Sequence, residues 1–415
     1  MHRRRFFQEM ATQGLVLASA GTVLRGRLSY SASVADRSDW IDPATARDWQ
    51  ARWENFILTD STKNRYCDTE MAEELGWLVS PFLDGFYYGY QATGDTKWIG
   101  RLVDWTDSCI RRAAKEPDGY LGWPKFSDQT ENFDYDSMVG EAMILRPVAL
   151  MADQILKTPA LKAEWGGKAE SYLELAERTF EKWDSRSAWR DSQVGGLWVV
   201  QYFGIDPKTN TFTEGFARRK TEAFSHPDNK ENFITRWLIA MYDITKKPIY
   251  RERAEKWWQL MRSRMKTREN GKYFVWDYWD PAGPWDYKPD GSTKHWVGVH
   301  PNGGYYAADL EGIVAAYEHQ LVFSRQDIDR LIATNRDFMW NQQISGAKFR
   351  RIDGGTPDPR WQNSPGVLWD ALVPYDETLR KIFVANHHPG DWGGLSATPW
   401  FLALARGNVA RASRP

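Results

Sequence analysis

The 415-residue chain has only two cysteines, Cys67 and Cys109. That number excludes a disulfide-stapled scaffold, and their spacing fits neither a zinc cluster nor a redox pair; one disulfide or two buried thiols remain open. Net charge is equally sparse, since 54 basic and 55 acidic residues leave −1. Without a basic surplus there is no footprint for wholesale nucleic-acid binding, and an anionic ligand would have to meet a local basic site. No stretch reaches the ~18 consecutive apolar residues of a membrane span. No glycine-rich phosphate loop, His-Glu-x-x-His pair or Gly-x-Ser-x-Gly elbow occurs, and nothing calls for a metal or a redox cofactor.

Aromatic residues, by contrast, are abundant: 23 Trp, 18 Tyr and 19 Phe. Such rings either fill a large core or stack on the C–H faces of sugars, and composition alone does not choose between them. The first residues are also distinctive. Arg3-Arg4-Arg5-Phe6-Phe7 followed by the mildly apolar Gly14 to Ala20 resembles a twin-arginine export signal, with Ala18-Ser19-Ala20 or Ser33-Val34-Ala35 as cleavage sites. Residues 1–35 are therefore set aside as a leader, which predicts a periplasmic or secreted bacterial protein.

A weak repeat runs through the remainder. Phe86 to Trp98, running on to Trp105, has the same plan as Trp237 to Tyr250, running on to Trp258. In both, an apolar helix ends in Tyr-x-x-Thr, a short polar turn follows, and a second amphipathic helix starts. Val148 to Phe180, with its turn near Thr158-Pro159, and Ile313 to Trp340, with its turn near Ser324, repeat the plan. Tandem helix hairpins must bury their apolar faces on one another. Short turns alternating with long aromatic segments favour closure into an all-α, (α/α) toroid of six or seven hairpins over an open solenoid. The long segments 185–232 and 267–306 are expected to hold short strands and loops capping one end, where function concentrates. No linker is evident, so 36–415 reads as one domain.

Candidate site residues cluster in those segments. Phe224-Ser225-His226-Pro227-Asp228-Asn229-Lys230-Glu231-Asn232 leads into a helix carrying Arg236, with Asp228 or Asn229 as its N-cap. His226, Asn229 and Arg236 could hold a carboxylate. Lys294-His295-Trp296, His300 and Gly303-Gly304-Tyr305-Tyr306 form a second group, where glycine lets the backbone approach a ligand. Trp123, in a Gly-rich turn, and Trp296 are candidate sugar platforms. Asp134 and Asp136 either cap a helix or act as acids. No Asp-Asp dipeptide occurs, which argues against Asp-rich terpene cyclases and paired-aspartate mannanases.

The His-Pro-x-Asn segment and the later His-Pro-Asn-Gly-Gly-Tyr-Tyr segment resemble the toroidal polysaccharide lyases of the alginate and glucuronan type, family 38 being the nearest. That resemblance implies β-elimination on an acidic polysaccharide, without cofactor. Tyr306 would serve as acid and could also serve as base, with Tyr305 as its alternate. His226 would be base or carboxylate partner, His300 and Asn229 would steady the carboxylate, and Lys294, His300 or Arg236 would neutralise it. His300 stands where such lyases often place an arginine. Removing an acidic C–H next to a carboxylate builds negative charge that such groups must meet. Three other readings stay open: a toroidal glycoside hydrolase using Asp134 or Asp136, a sugar epimerase with paired histidines, and a glycan-binding protein without turnover.

Overall fold

The computed structural model describes residues 40–116, 118–126, 134–135, 137–201, 205–206, 211–212, 224–355 and 366–408. The leader lies outside these residues. The chain forms an all-α toroid in which outer and inner helices alternate along the sequence. The inner ring consists of α2 (Ala72–Thr93), α4 (Met138–Lys157), α6 (Asp228–Thr245), α8 (Gly303–Glu318), a 3-10 turn (Asp370–Tyr375) and α11 (Gly394–Ala405). The outer ring consists of α1 (Pro43–Lys63), α3 (Lys97–Arg112), α5 (Pro159–Ser185), α7 (Pro248–Arg264), α9 (Arg325–Ala333) and α10 (Glu377–Asn386). The ring closes because α11 packs between α2 and the first outer helix α1. Trp53 of α1 donates its indole N–H to the Leu395 carbonyl at 2.9 Å.

Local chemistry explains the hairpins. Gly94 ends α2 in the left-handed region (φ 71°) and returns its N–H to Tyr90 at 2.7 Å. Pro159 and Pro248 open α5 and α7 at a position where a missing N–H costs nothing. Ser324 and Asp327 cap α9 reciprocally. These tight turns lie at the C-terminal ends of the inner helices. The long connections therefore gather at the other end, around the inner N-termini, as the sequence implied. There the strands Trp189–Asp191, Gly196–Val200 and Phe224–Ser225 form an antiparallel sheet, with Trp189 opposite Trp198 and Val199 opposite Ser225.

Twelve tryptophans, among them Trp53, Trp98, Trp237 and Trp258, are wholly buried, so much of the indole content is core. Trp123 belongs with them at 1% exposure. Its indole N–H goes to the Cys109 carbonyl at 2.8 Å, and it presents no face to a ligand, contrary to the sequence reading. Cys67 and Cys109 are free and buried. No helix among the described residues is long and apolar enough to cross a membrane.

The toroid's interior is not purely apolar. Arg146 of α4 binds Asp84 at 2.8 Å and the Tyr88 hydroxyl at 3.0 Å, both on α2. Arg236 of α6 pairs with Glu311 of α8. Buried charges persist only when matched in this way.

Candidate active site at the mouth of the toroid

The mouth is built from the first turns of the inner helices. Its position depends on glycine: a Cβ on Gly140 of α4 would stand 2.2 Å from the Ala72 carbonyl oxygen and 3.1 Å from the Glu73 Cα. The first turns of α2 and α4 are therefore in backbone contact. Ala72 adopts the left-handed region (φ 50°), where a non-glycine residue is strained, and donates its N–H to the Trp123 carbonyl at 2.6 Å. Trp123 thus anchors the turn that presents Glu73.

The Glu73 carboxylate accepts the Trp77 indole N–H at 2.9 Å and the Lys230 ammonium at 2.8 Å. Its side chain keeps 20% exposure. Burial by itself raises this carboxyl, but Lys230 and then Trp77 outweigh it and hold it below the usual range. Glu73 is an ionised carboxylate at neutral pH.

His226 reaches the same spot through a fixed loop. Asp286 accepts the Ser225 N–H and hydroxyl, each at 2.7 Å, and Trp279 donates to the Ser225 carbonyl at 2.8 Å. The next residues enter α6 with Pro227 as N-cap; neither Asp228 nor Asn229 caps it. Asp228 instead meets Arg264 at the end of α7 at 3.2 Å. His226 is 5% exposed. Burial, aided by Lys230, pushes its imidazole down to about 3, so it is neutral. Its Nδ1 and both polar atoms of the Asn229 amide are buried without hydrogen-bond partners.

Opposite stands a shelf of rings. Tyr278 stacks on Tyr305 at 5.2 Å and lies 4.7 Å from His300. Trp296 lies 6.1 Å from Tyr278 and 5.8 Å from His300, and at 48% exposure it offers an open face. His295 packs against Phe224, Tyr278 and Trp279. Lys294 is half-buried and its backbone N–H bonds the Asp286 carbonyl at 2.8 Å. His300 Nδ1 accepts the Asn302 N–H at 3.0 Å, which leaves the ring proton on Nε2. Burial first, then His295 and Arg351, push His300 down to about 4.

Several sequence expectations change here. Tyr306 is 3% exposed, packs on Trp276 and accepts the His300 backbone N–H at 2.8 Å. Burial raises its phenol well above the usual range, so it is a poor proton donor, and Tyr305 is the less buried of the two. Arg236 lies inside the toroid, matched with Glu311, and is not available to a ligand carboxylate. The structure brings together His226, His300, Tyr305, His295 and Trp296, while Asn229 follows His226 three residues later in the first turn of α6. It adds Glu73, Trp77, Lys230 and Tyr278. A pair of acids, Glu73-Glu74, opening an apolar helix was the one signal for the first of these. Only the backbone of Asp134 is placed, in a short strand opposite Phe126, and Asp136 lies outside the described residues. Among the described residues no group of His, Cys, Asp and Glu could hold a metal ion.

No model of a known protein family matches the chain, and neither does any curated protein. Solved structures do. A family 76 glycoside hydrolase from a bovine Bacteroides thetaiotaomicron strain is similar at TM-score 0.48 and 12% identity, over 89% of this chain and 78% of that one. An α-1,6-mannanase of Salegentibacter sp. HEL1_6, inactivated at two adjacent aspartates and bound to a mannotetraose, is similar at 0.44 and 13%, over 87% and 99%. At this identity the likeness speaks to the fold alone. These toroids are glycoside hydrolases, not lyases, and the resemblance to alginate and glucuronan lyases is corrected accordingly. The mouth agrees with the correction: Lys230 and Arg236 are already bound to the protein's own carboxylates, and an ionised Glu73 would repel a uronate.

Proposed function

We propose that the mouth of the toroid hydrolyses a glycosidic bond in a neutral glycan, with Glu73 as the ionised carboxylate. The observation that carries this reading is the placement of that carboxylate. It is partly exposed, held by Lys230 and Trp77, and near enough to Tyr278 and Tyr305 for its charge to raise both phenols. Glycoside hydrolysis needs a carboxylate to activate water or attack the anomeric carbon, and an acid to protonate the leaving oxygen. The acid is assigned to Asp136, with Asp134 as its alternate. Asp134 and Asp136 are the acids the sequence offers for this role, and the side chains of both lie outside the described residues. The separation of the two carboxyls decides the outcome: about 5 Å gives retention, and room for a water, about 6.5–9.5 Å, gives inversion. Trp296, Tyr278 and Tyr305 present flat rings to the sugar faces.

Export of residues 36–415 by the twin-arginine leader 1–35 belongs to the same proposal, since a glycan polymer is met outside the cytoplasm. The test is release of reducing ends from neutral polysaccharides. Glu73→Gln and Asp136→Asn should each lower turnover about 10²–10⁴-fold, the range of acid–base catalysis, with the fold intact by circular dichroism. Full turnover by Glu73→Gln would overturn the reading.

A further inference from the structure

We infer that Asn229 and His226 form a built-in receptor for two neighbouring hydroxyls of one neutral sugar residue, set at the inner end of the mouth. The inference rests on the proposed reading of the mouth as a glycan site and names what that site recognises.

Two buried polar groups that lack partners lie within one turn of chain. Asn229 is 1% exposed, and both its Nδ2 and its Oδ1 go unpaired; His226 is 5% exposed with Nδ1 unpaired. An orphaned buried amide is costly, and nearly all such groups in folded proteins have partners. An external partner resolves the conflict. The helix geometry says where it sits. Asn229, Phe233 and Arg236 share a face of α6, being four and then three residues apart. Phe233 meets Trp77 of α2 edge-on at 5.4 Å, and Arg236 pairs with Glu311 of α8. That face therefore looks into the toroid's interior, and Asn229 is its outermost member. His226 lies close enough to Glu73 and Lys230 for both to act on its charge.

The chemistry of the pair selects its ligand. An amide supplies two donors and an acceptor, and one imidazole nitrogen supplies a donor or an acceptor according to tautomer. Neither group is charged. A hydroxyl both donates and accepts, so two adjacent ones satisfy this set, whereas a carboxylate or phosphate would leave Asn229 Oδ1 facing a second acceptor.

The test uses the full chain carrying Glu73→Gln, so that ligand is not consumed. Manno-, gluco-, xylo- and galacto-tetraoses are titrated against tryptophan fluorescence, and the best binder is repeated as its monodeoxy analogues. Added Asn229→Leu should hold or raise Tm, because it removes orphaned polar atoms, and should weaken binding at least tenfold. A deoxy analogue should lose affinity for the parent and not for Asn229→Leu. Added His226→Phe should behave in the same way toward the neighbouring hydroxyl. Unchanged affinity in Asn229→Leu overturns the inference, as does a lowered Tm with unchanged affinity, which would mark a structural amide. Asn229→Ala serves if the leucine does not fold. Failure of the catalytic reading has a separate signature: Glu73→Gln alone keeps turnover while the Asn229 variants still lose binding. Failure of all four tetraoses to bind the parent overturns both.

Discussion

The ammonium of Lys230 stands 2.8 Å from the carboxylate of Glu73, bridging the first turns of α6 and α2 across 157 residues of sequence. This pair sets the charge state of the mouth. Lys230→Met leaves burial as the main influence on Glu73, and burial raises a carboxyl. If catalysis needs the ionised form, activity is present above the Glu73 pKa and lost below it. The acidic limb of the pH–rate profile should then move to higher pH in Lys230→Met. Stability follows the same sign. A depressed carboxyl contributes above its unfolded pKa of about 4.3 and ceases to contribute as pH falls through the folded value. Melting curves across about pH 3–6 should show the difference between wild type and Lys230→Met shrinking toward acid.

Trp123 and Trp296 should separate cleanly. Trp123→Ala empties a site in the core and removes an indole bond to Cys109, with an expected loss of about 3–5 kcal/mol in denaturant titration. Trp296→Ala removes a ring that is 48% exposed, so Tm should hardly change. Its effect should appear as a raised KM.

Arg236 and Glu311 are matched inside the toroid at 4% and 2% side-chain exposure. Removing one partner breaks a buried pair, so Arg236→Met or Glu311→Leu alone should cost about 3–5 kcal/mol. The double variant should recover part of that loss, since the pair is then removed as a unit. Chemical denaturation of the four proteins reads the coupling.

The far end of the toroid holds a second charge pair that couples stability to pH. His319 Nε2 lies 2.9 Å from Asp243, and its Nδ1 lies 2.7 Å from the Ala315 carbonyl. Burial alone lowers this imidazole, but Asp243 and the carbonyl outweigh it and raise it. Stability from a raised histidine is fully present below its unfolded pKa of about 6.5 and is lost as pH rises through the folded value. Asp243→Asn should therefore destabilise more at about pH 5.5 than at about pH 9, by melting temperature.

Gly140→Ala should do more harm than Gly94→Ala. At Gly140 the new methyl meets a backbone oxygen at 2.2 Å, and α4 has to move off the turn that holds Glu73. Both Tm and kcat should fall. At Gly94 there is no atom within 4 Å, and only the left-handed backbone opposes alanine, at about 1 kcal/mol.

The hairpin architecture was legible because it is local. Apolar spacing, Gly94, Pro159, Pro248 and the Ser324 cap each act within a few residues, and they predicted the short turns at one end and the long aromatic segments at the other. His226, Asn229, His300, Tyr305 and Trp296 stood out as polar or aromatic groups in those segments. Their partners were hidden. Glu73 opens an otherwise apolar helix and reads as a dipole-friendly first-turn acid until Lys230 is seen beside it.

Sequence by itself determined that this chain is a closed ring of helix hairpins with an aromatic-rich end, since periodicity and turn chemistry are properties of neighbouring residues. Tertiary structure alone decided which groups that end can use. It buried Trp123 and Tyr306, matched Arg236 to Glu311, tied Lys230 to Glu73, and left Asn229 unpaired. Burial and charge pairing depend on residues far apart in the chain, and no local pattern encodes which of two adjacent tyrosines will be the more buried.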